Sequence, residues 1–281
     1  MPSAPIQKQR YLGMRLALIY LTCLFVASFL APLILHQNFD NQQIHQRLLA
    51  PSATHLFGTD ALGRDLFART LAGAQISIIV GVASALISLI LGLTLGSLAG
   101  IYGSWVDFIL IQFIDGFYIF PPLFMAMLVT LFMGHNLFAV IVSLSVTSWM
   151  GLARLVRGQI LLIKEATYFE AAQSLGCSPF RLILKHLLPN LRGPLIVALS
   201  FQVPSNILTE SFLSFLGLGL QPPLSSWGVL VQQGWKASSS YPYLLLMPGI
   251  VIFFSLFSFN VLGDGLRDKY DNNHQSFSNT T

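Results

Sequence analysis

Residues that can do chemistry are scarce in this chain of 281 residues, and their placement matters more than their number. Two carboxylates, Asp115 and Glu210, lie inside long apolar runs, where an ionisable group is costly and marks a functional position by default. Both are candidates for a pathway or gate or for a structural hydrogen bond that joins helices, and Asp115 could pair with a basic residue of another helix that the sequence does not identify. Asp115 falls roughly 13 Å into its apolar run, and Glu210 falls roughly 27 Å beyond Arg192, near the far face of a membrane. The six histidines do not gather at ligand spacing, and no His-Glu-x-x-His or Gly-x-Ser-x-Gly occurs. His135 and Asn136 sit in a tight turn between apolar runs, which suits a loop role. No Gly-x-x-x-x-Gly-Lys-Ser/Thr is present, so the chain has no phosphate-cradling loop of its own. Cys23 lies in an apolar run and Cys177 in a basic one, which is no disulfide framework.

The densest polar cluster runs from Glu165 to Pro189. With Lys164 it gathers Glu165, Glu170, Arg181, Lys185 and His186, too much charge for a hydrocarbon slab. Its pattern is two short helices separated by Gly176-Cys177-Ser178-Pro179. Gly176 suits the left-handed residue that ends the first helix; Ser178 can cap the second, and Pro179 suits its first turn. The reading is a helix-turn-helix elbow standing out of a membrane protein.

The rest of the chain supports that setting. It is 54% hydrophobic and only 9% charged, where soluble domains carry about a quarter charged residues. The net charge of +4 gathers at the ends of apolar segments and not on a face suited to a duplex, so nucleic acid is no expected partner and membrane lipid is. A cytoplasmic N-terminus (1–15) precedes a first helix (16–35), long enough to span and without a small-residue cleavage site. A periplasmic segment with a short amphipathic helix follows (36–72), capped by Thr59 or Asp60, with Arg64 and Asp65 left to water. Five further spans lie at about 76–101, 108–133, 137–156, 194–215 and 243–262 within a core of 73–264, and the tail is 265–281. Gly81, Gly92, Gly96 and Gly100 let neighbouring helices approach closely. Pro121-Pro122 kink the 108–133 helix. The expectation is an all-α integral membrane protein of six transmembrane helices.

Lys and Arg counts set its orientation. Eleven (Lys8, Arg10, Arg15, Arg154, Arg157, Lys164, Arg181, Lys185, Arg192, Arg267 and Lys269) fall on one side and four (Arg47, Arg64, Arg69, Lys236) on the other. The positive-inside bias places both termini and the elbow in the cytoplasm.

Three blocks of residues also carry a family resemblance. Glu170-Ala171-Ala172, then Gly176, then Leu188-Pro189, resembles the EAA loop of ABC-importer permeases, and His186 to Asn190 resembles its peptide-permease branch. Phe57-Gly58-Thr59-Asp60, Gly63-Arg64-Asp65 and Gly73-Ala74-Gln75-Ile76-Ser77 are similar to the segment before the core of dipeptide and oligopeptide permeases, with Gln75 where arginine is more usual. Ile207 to Gly228, with Glu210 ahead of Leu-Ser-Phe-Leu-Gly-Leu-Gly and Pro223-x-x-x-Trp227-Gly228, is similar to the same family. Gly217, Gly219 and Pro222-Pro223 there predict a bent or broken element, tightly packed at Gly217-Leu218-Gly219.

The resemblance implies a type I importer permease fold in the bacterial inner membrane, with a cytoplasmic coupling helix inside a coupling loop at 158–192. It implies a second homologous permease as heterodimer partner, two ABC ATPase subunits, a periplasmic or extracellular substrate-binding protein, no cofactor and no enzymatic activity of its own. Glu170, Ala171, Ala172, Gly176, Leu188 and Pro189 would couple to the ATPase. Relatives handle dipeptides, longer peptides, nickel chelates and antimicrobial peptides. The competing class is an ion-coupled secondary transporter, but the chain lacks the internal repeats with matching broken helices that such proteins show.

Overall fold

Asp65 starts the longest helix of the molecule. Its carboxylate accepts from the Ala68 amide at 2.8 Å, capping a helix that runs unbroken through Leu66–Tyr102. The computed structural model describes residues 4–34, 41–182, 185, 187–222 and 224–278; Leu35, His186 and Pro223 of the motifs above lie outside them. Among the described residues there are ten α-helices. They are α1 (Ala4–Ile34), α2 (Leu66–Tyr102), α3 (Ser104–Tyr118), α4 (Pro122–Met133) and α5 (Leu137–Lys164), then α6 (Thr167–Ser174), α7 (Pro179–Leu182), α8 (Leu188–Phe215), α9 (Trp227–Lys236) and α10 (Tyr243–Ser278). The all-helical membrane architecture is as expected, because only a helix satisfies its own backbone groups in lipid.

The spans differ in detail from the sequence reading. Four helical segments are long and apolar enough to cross a bilayer: Tyr11–Leu30, Leu66–Tyr102, Leu137–Lys164 and Tyr243–Tyr270. The expected single kinked helix at 108–133 is two helices, α3 and α4, bent by 86°. Pro121 supplies no amide and Pro122 opens α4, so the helical ladder stops at Tyr118 and restarts. The sixth expected span corresponds to α8, whose 28 residues match α5 in length but carry Gln202, Asn206 and Glu210. Its apolarity alone does not mark it as a crossing. Among the described residues no separate α-helix starts at Thr59 or Asp60, because Asp65 is the cap of α2; only a 3-10 turn at Ile44–Gln46 lies between α1 and α2. At the other end, the last helix does not close at Gly263-Asp264-Gly265 but continues to Ser278.

The glycine stripe performs as read. A Cβ at Gly92 would lie 2.6 Å from Leu152 Cβ, and one at Gly96 2.5 Å from the Ala153 carbonyl oxygen. One at Gly81 would meet Ile207 at 2.6 Å, so α2 is pressed onto α5 along one side and α8 on another. Polar ties reinforce these contacts. Asn206 of α8 donates to Ser84 Oγ of α2 at 2.7 Å and accepts from Ser148 of α5 at 3.0 Å. Ala74, Ile207 and Trp227, all fully buried, join α2, α8 and α9, with Leu24 of α1 and Val251 of α10 packed on them.

Candidate functional site

The elbow is anchored from inside and open outside. Phe169, Ala172 and Leu182 are buried with Val156 and Ile160 of α5 and Leu191 and Leu195 of α8. On the outward side Glu170 and Ala171 are exposed, and Leu175 is 86% exposed. Gly176 has φ +76°, and the Cys177 amide reaches the Ala172 carbonyl at 3.2 Å, the bond of a Schellman ending. A Cβ at Gly176 would meet nothing within 4 Å, so the glycine is required by its backbone and not by space. Pro179 opens α7 as read, and Pro189 lies in the first turn of α8, exposed beside a half-buried Leu188.

The two alanines therefore do not share a surface: Ala171 faces out, while Ala172 belongs to the chain's own core. The exposed Leu175 is an outward apolar residue the sequence reading missed. Its signal was present, an apolar residue directly before the turn glycine on the charged side of a short helix.

Asp115 and Glu210 have separate surroundings. Asp115 of α3 pairs with Arg154 of α5, whose guanidinium also lies 4.7 Å above the Tyr118 ring. A second pair, Asp107 with Arg157, binds at two points, one of them 2.6 Å. Lys164 donates to the Gly100 and Ile101 carbonyls at 3.2 and 3.1 Å, closing the end of α2 where a cation suits the helix dipole. Glu210 is fully buried and held by serines: Ser214 donates at 2.6 Å and Ser77 at 3.4 Å. Ser77 also accepts the Trp227 amide at 3.2 Å, so Glu210 sits in a network joining α2, α8 and α9. Asn136 caps α5 through the Ala139 amide at 2.8 Å, which is the loop role expected of it.

The chain breaks after Phe215, as the glycines and prolines suggest, but the tight packing expected at Gly217 lies elsewhere. A Cβ on Gly217 would only touch Gln232 at 3.4 Å; its φ of +85° is what asks for glycine. The close approaches are at Gly219, 1.9 Å from Ser214 Oγ, and Gly228, 2.6 Å from Ser211 Cα.

The Phe57–Asp65 motif is a knot. Arg64, expected in water, and Asp60, expected as a possible helix cap, are 7% exposed each. Asp60 accepts from Arg64 Nε at 2.7 Å and from the Arg69 guanidinium at 2.6 Å, and Arg69 also binds Gln233 of α9 at 2.9 Å. Burial pushes the Asp60 carboxyl upward, but the Arg64 amide and the Arg69 and Arg64 guanidiniums outweigh it and hold it below its ordinary value. Gly63, at φ +72°, leaves room for the Gln43 carbonyl, which would stand 1.9 Å from a Cβ.

Residues 92–272, from the C-terminal part of α2 into α10, match the family described as Binding-protein-dependent transport system inner membrane component. The chain belongs to that family. It is 44% identical over 255 residues to the dipeptide transport system permease protein DppC of Bacillus subtilis, covering 90% of this chain and 80% of that one. With the oligopeptide transport system permease protein OppC of Escherichia coli it is 40% identical over 269 residues, 94% and 89% of the two chains. With the glutathione transport system permease protein GsiD of Pectobacterium atrosepticum it is 37% identical over 254 residues, 90% and 83%. The fold is also that of a chain of the MetNI methionine ABC transporter solved in inward-facing conformations, at TM-score 0.60 and 17% identity, covering 73% of this chain and 97% of that one. The protein is thus a multi-pass inner-membrane permease subunit of an ABC importer, itself a transporter component and not an enzyme.

Proposed function

We propose that this permease forms half of the membrane pathway of an ATP-driven peptide importer and is driven through its elbow. The observation that carries the reading is the elbow's construction: Phe169, Ala172 and Leu182 fix it to α5 and α8, while Glu170, Ala171 and Leu175 stand free. A rigid elbow with an unpartnered outer face is what a docking ATPase needs to push on. Leu188 and Pro189 start α8 directly from the elbow, so a tilt passes into the helix that holds Asn206 and Glu210. The family supports a second homologous permease, two ATPases and a substrate-binding protein as partners, and the dipeptide, oligopeptide and glutathione permeases among its relatives support peptides as substrate.

In this reading both termini and the elbow are cytoplasmic, and α8 is a sixth crossing whose polar face is sheltered by α2 and α5. ATP binding closes the ATPases, moves the elbows and turns the pathway outward; this works because the two states differ in their elbow contacts. Uptake of labelled dipeptide into cells should stop when ATP is depleted and persist when the ion gradient alone is collapsed. The reverse pattern would show an ion-coupled carrier. A reporter joined at Gly176 should read cytoplasmic, and one near Asn41 periplasmic.

A further inference from the structure

The two ion pairs between α3 and α5 are built differently. Asp107 and Arg157 close on each other at two points, with side chains 21% and 29% exposed. Asp115 and Arg154 meet at one point and are 53% and 42% exposed. Among the described residues the second Asp115 oxygen has no partner, and the Arg154 guanidinium has only Asp115 and the Tyr118 ring. An Arg carries five N–H donors, so most of its capacity is unmet.

Depth makes this informative. Lys164 bonds the Gly100 and Ile101 carbonyls, which levels the ends of α2 and α5, and Gly103 starts α3 from that same level. Asp115 lies eleven residues into α3 from Ser104, roughly 16 Å, and Arg154 ten residues before Lys164, roughly 15 Å. At that depth lipid satisfies none of the open donors and acceptors. Water or a polar ligand must.

We infer that Asp115 and Arg154 face the water-filled substrate pathway and form a station of two signs, for the ammonium and the carboxylate ends of a peptide. The inference rests on the permease reading and adds to it the residues that touch the substrate. Tyr118, 42% exposed beside Arg154, supplies an aromatic wall to the same station. The adjoining Asp107–Arg157 pair is closed on itself and serves as a strut between α3 and α5.

Thiol labelling of the assembled transporter in vesicles tests this. Cys23, exposed on the apolar α1, serves as the internal reference thiol once Cys177→Ser removes the other. Asp115→Cys and Tyr118→Cys are each placed in a Cys23→Ser, Cys177→Ser background and treated with a charged, lipid-insoluble methanethiosulfonate. Both should react at least about tenfold faster than Cys23, because the reactive thiolate forms only where water reaches it. Millimolar dialanine should slow the reaction at Tyr118→Cys, which keeps both charges of the station, and N-acetyl-dialanine amide, which lacks both charged ends, should not. Labelling no faster than Cys23 at both positions would place the pair against lipid or the second permease and overturn the inference; equal protection by both dipeptides, or by neither, would overturn the station. ATP-driven uptake by the parent assembly is measured alongside. Its absence would sink the permease reading whatever the labelling shows.

Discussion

The elbow and the knot around Asp60 are both short, charged segments between long apolar helices, yet they are made in opposite ways. In the knot, charges turn inward: Asp60, Arg64 and Arg69 are buried on one another, and Gly63 lets a neighbouring carbonyl approach. In the elbow, charges turn outward, Leu175 is 86% exposed and Gly176 has open space around it. Residues that close on their own chain hold the helices in place, and on the proposed function the open elbow residues are placed for the ATPase. The difference predicts that changes in the knot cost stability, and changes in the elbow cost coupling.

The largest effect should come from Asp60→Ala. It leaves the buried Arg64 and Arg69 without their carboxylate, which costs about 3–5 kcal/mol. Thermal unfolding in detergent should show a lower Tm and membrane levels should drop; an unchanged Tm would erase the contrast between the two segments. Next is Gly219→Leu, which forces a side chain into Ser214 and should cost about 1–3 kcal/mol through overpacking. Gly217→Ala should cost about 1–2 kcal/mol, from its left-handed backbone alone. Equal losses of Tm at the two glycines would contradict the separation of packing from backbone strain.

Acid gives a gentler probe. The folded Asp60 carboxyl is held below its ordinary value of 3.8. A depressed acid stabilises the fold fully above that ordinary value and loses its contribution as pH falls through the folded one. Tm should therefore show no Asp60-dependent change from pH 7 to 5. Below about pH 4 the parent should lose stability faster than Asp60→Asn.

How far the sequence carried these conclusions depends on the range of the interaction. The apolar runs, the glycine stripe, the elbow and its turn at Gly176 are local patterns of period, charge and backbone preference, and they were legible. The 86° break at Pro121 was read only as a kink, because proline marks where a ladder stops but not the angle at which packing restarts it. The choice of Asp65 over Thr59 and Asp60 as the cap depended on Arg69 drawing in Asp60 while itself held by Gln233, a contact across 164 residues of chain that no local pattern records. Likewise the sequence showed that Asp115 could take a basic partner, while only the fold shows that Arg154 supplies it. Ala172 was grouped with Ala171 by adjacency, although neighbours on a helix face different directions and the core took one of them.

The smallest expected change in stability carries the central claim. Gly176→Val should strain the elbow by about 1 kcal/mol, with no clash, since nothing lies within 4 Å of a new Cβ. The direct measurement is copurification of the ATPase with Gly176→Val and Glu170→Lys permeases, together with import in the same cells, against Asp264→Lys as an exposed charge reversal away from the elbow. Both elbow variants should reach the membrane at parent levels, lose most of the bound ATPase and import poorly, while Asp264→Lys behaves as the parent does. Full ATPase binding and full import in both elbow variants would contradict the account.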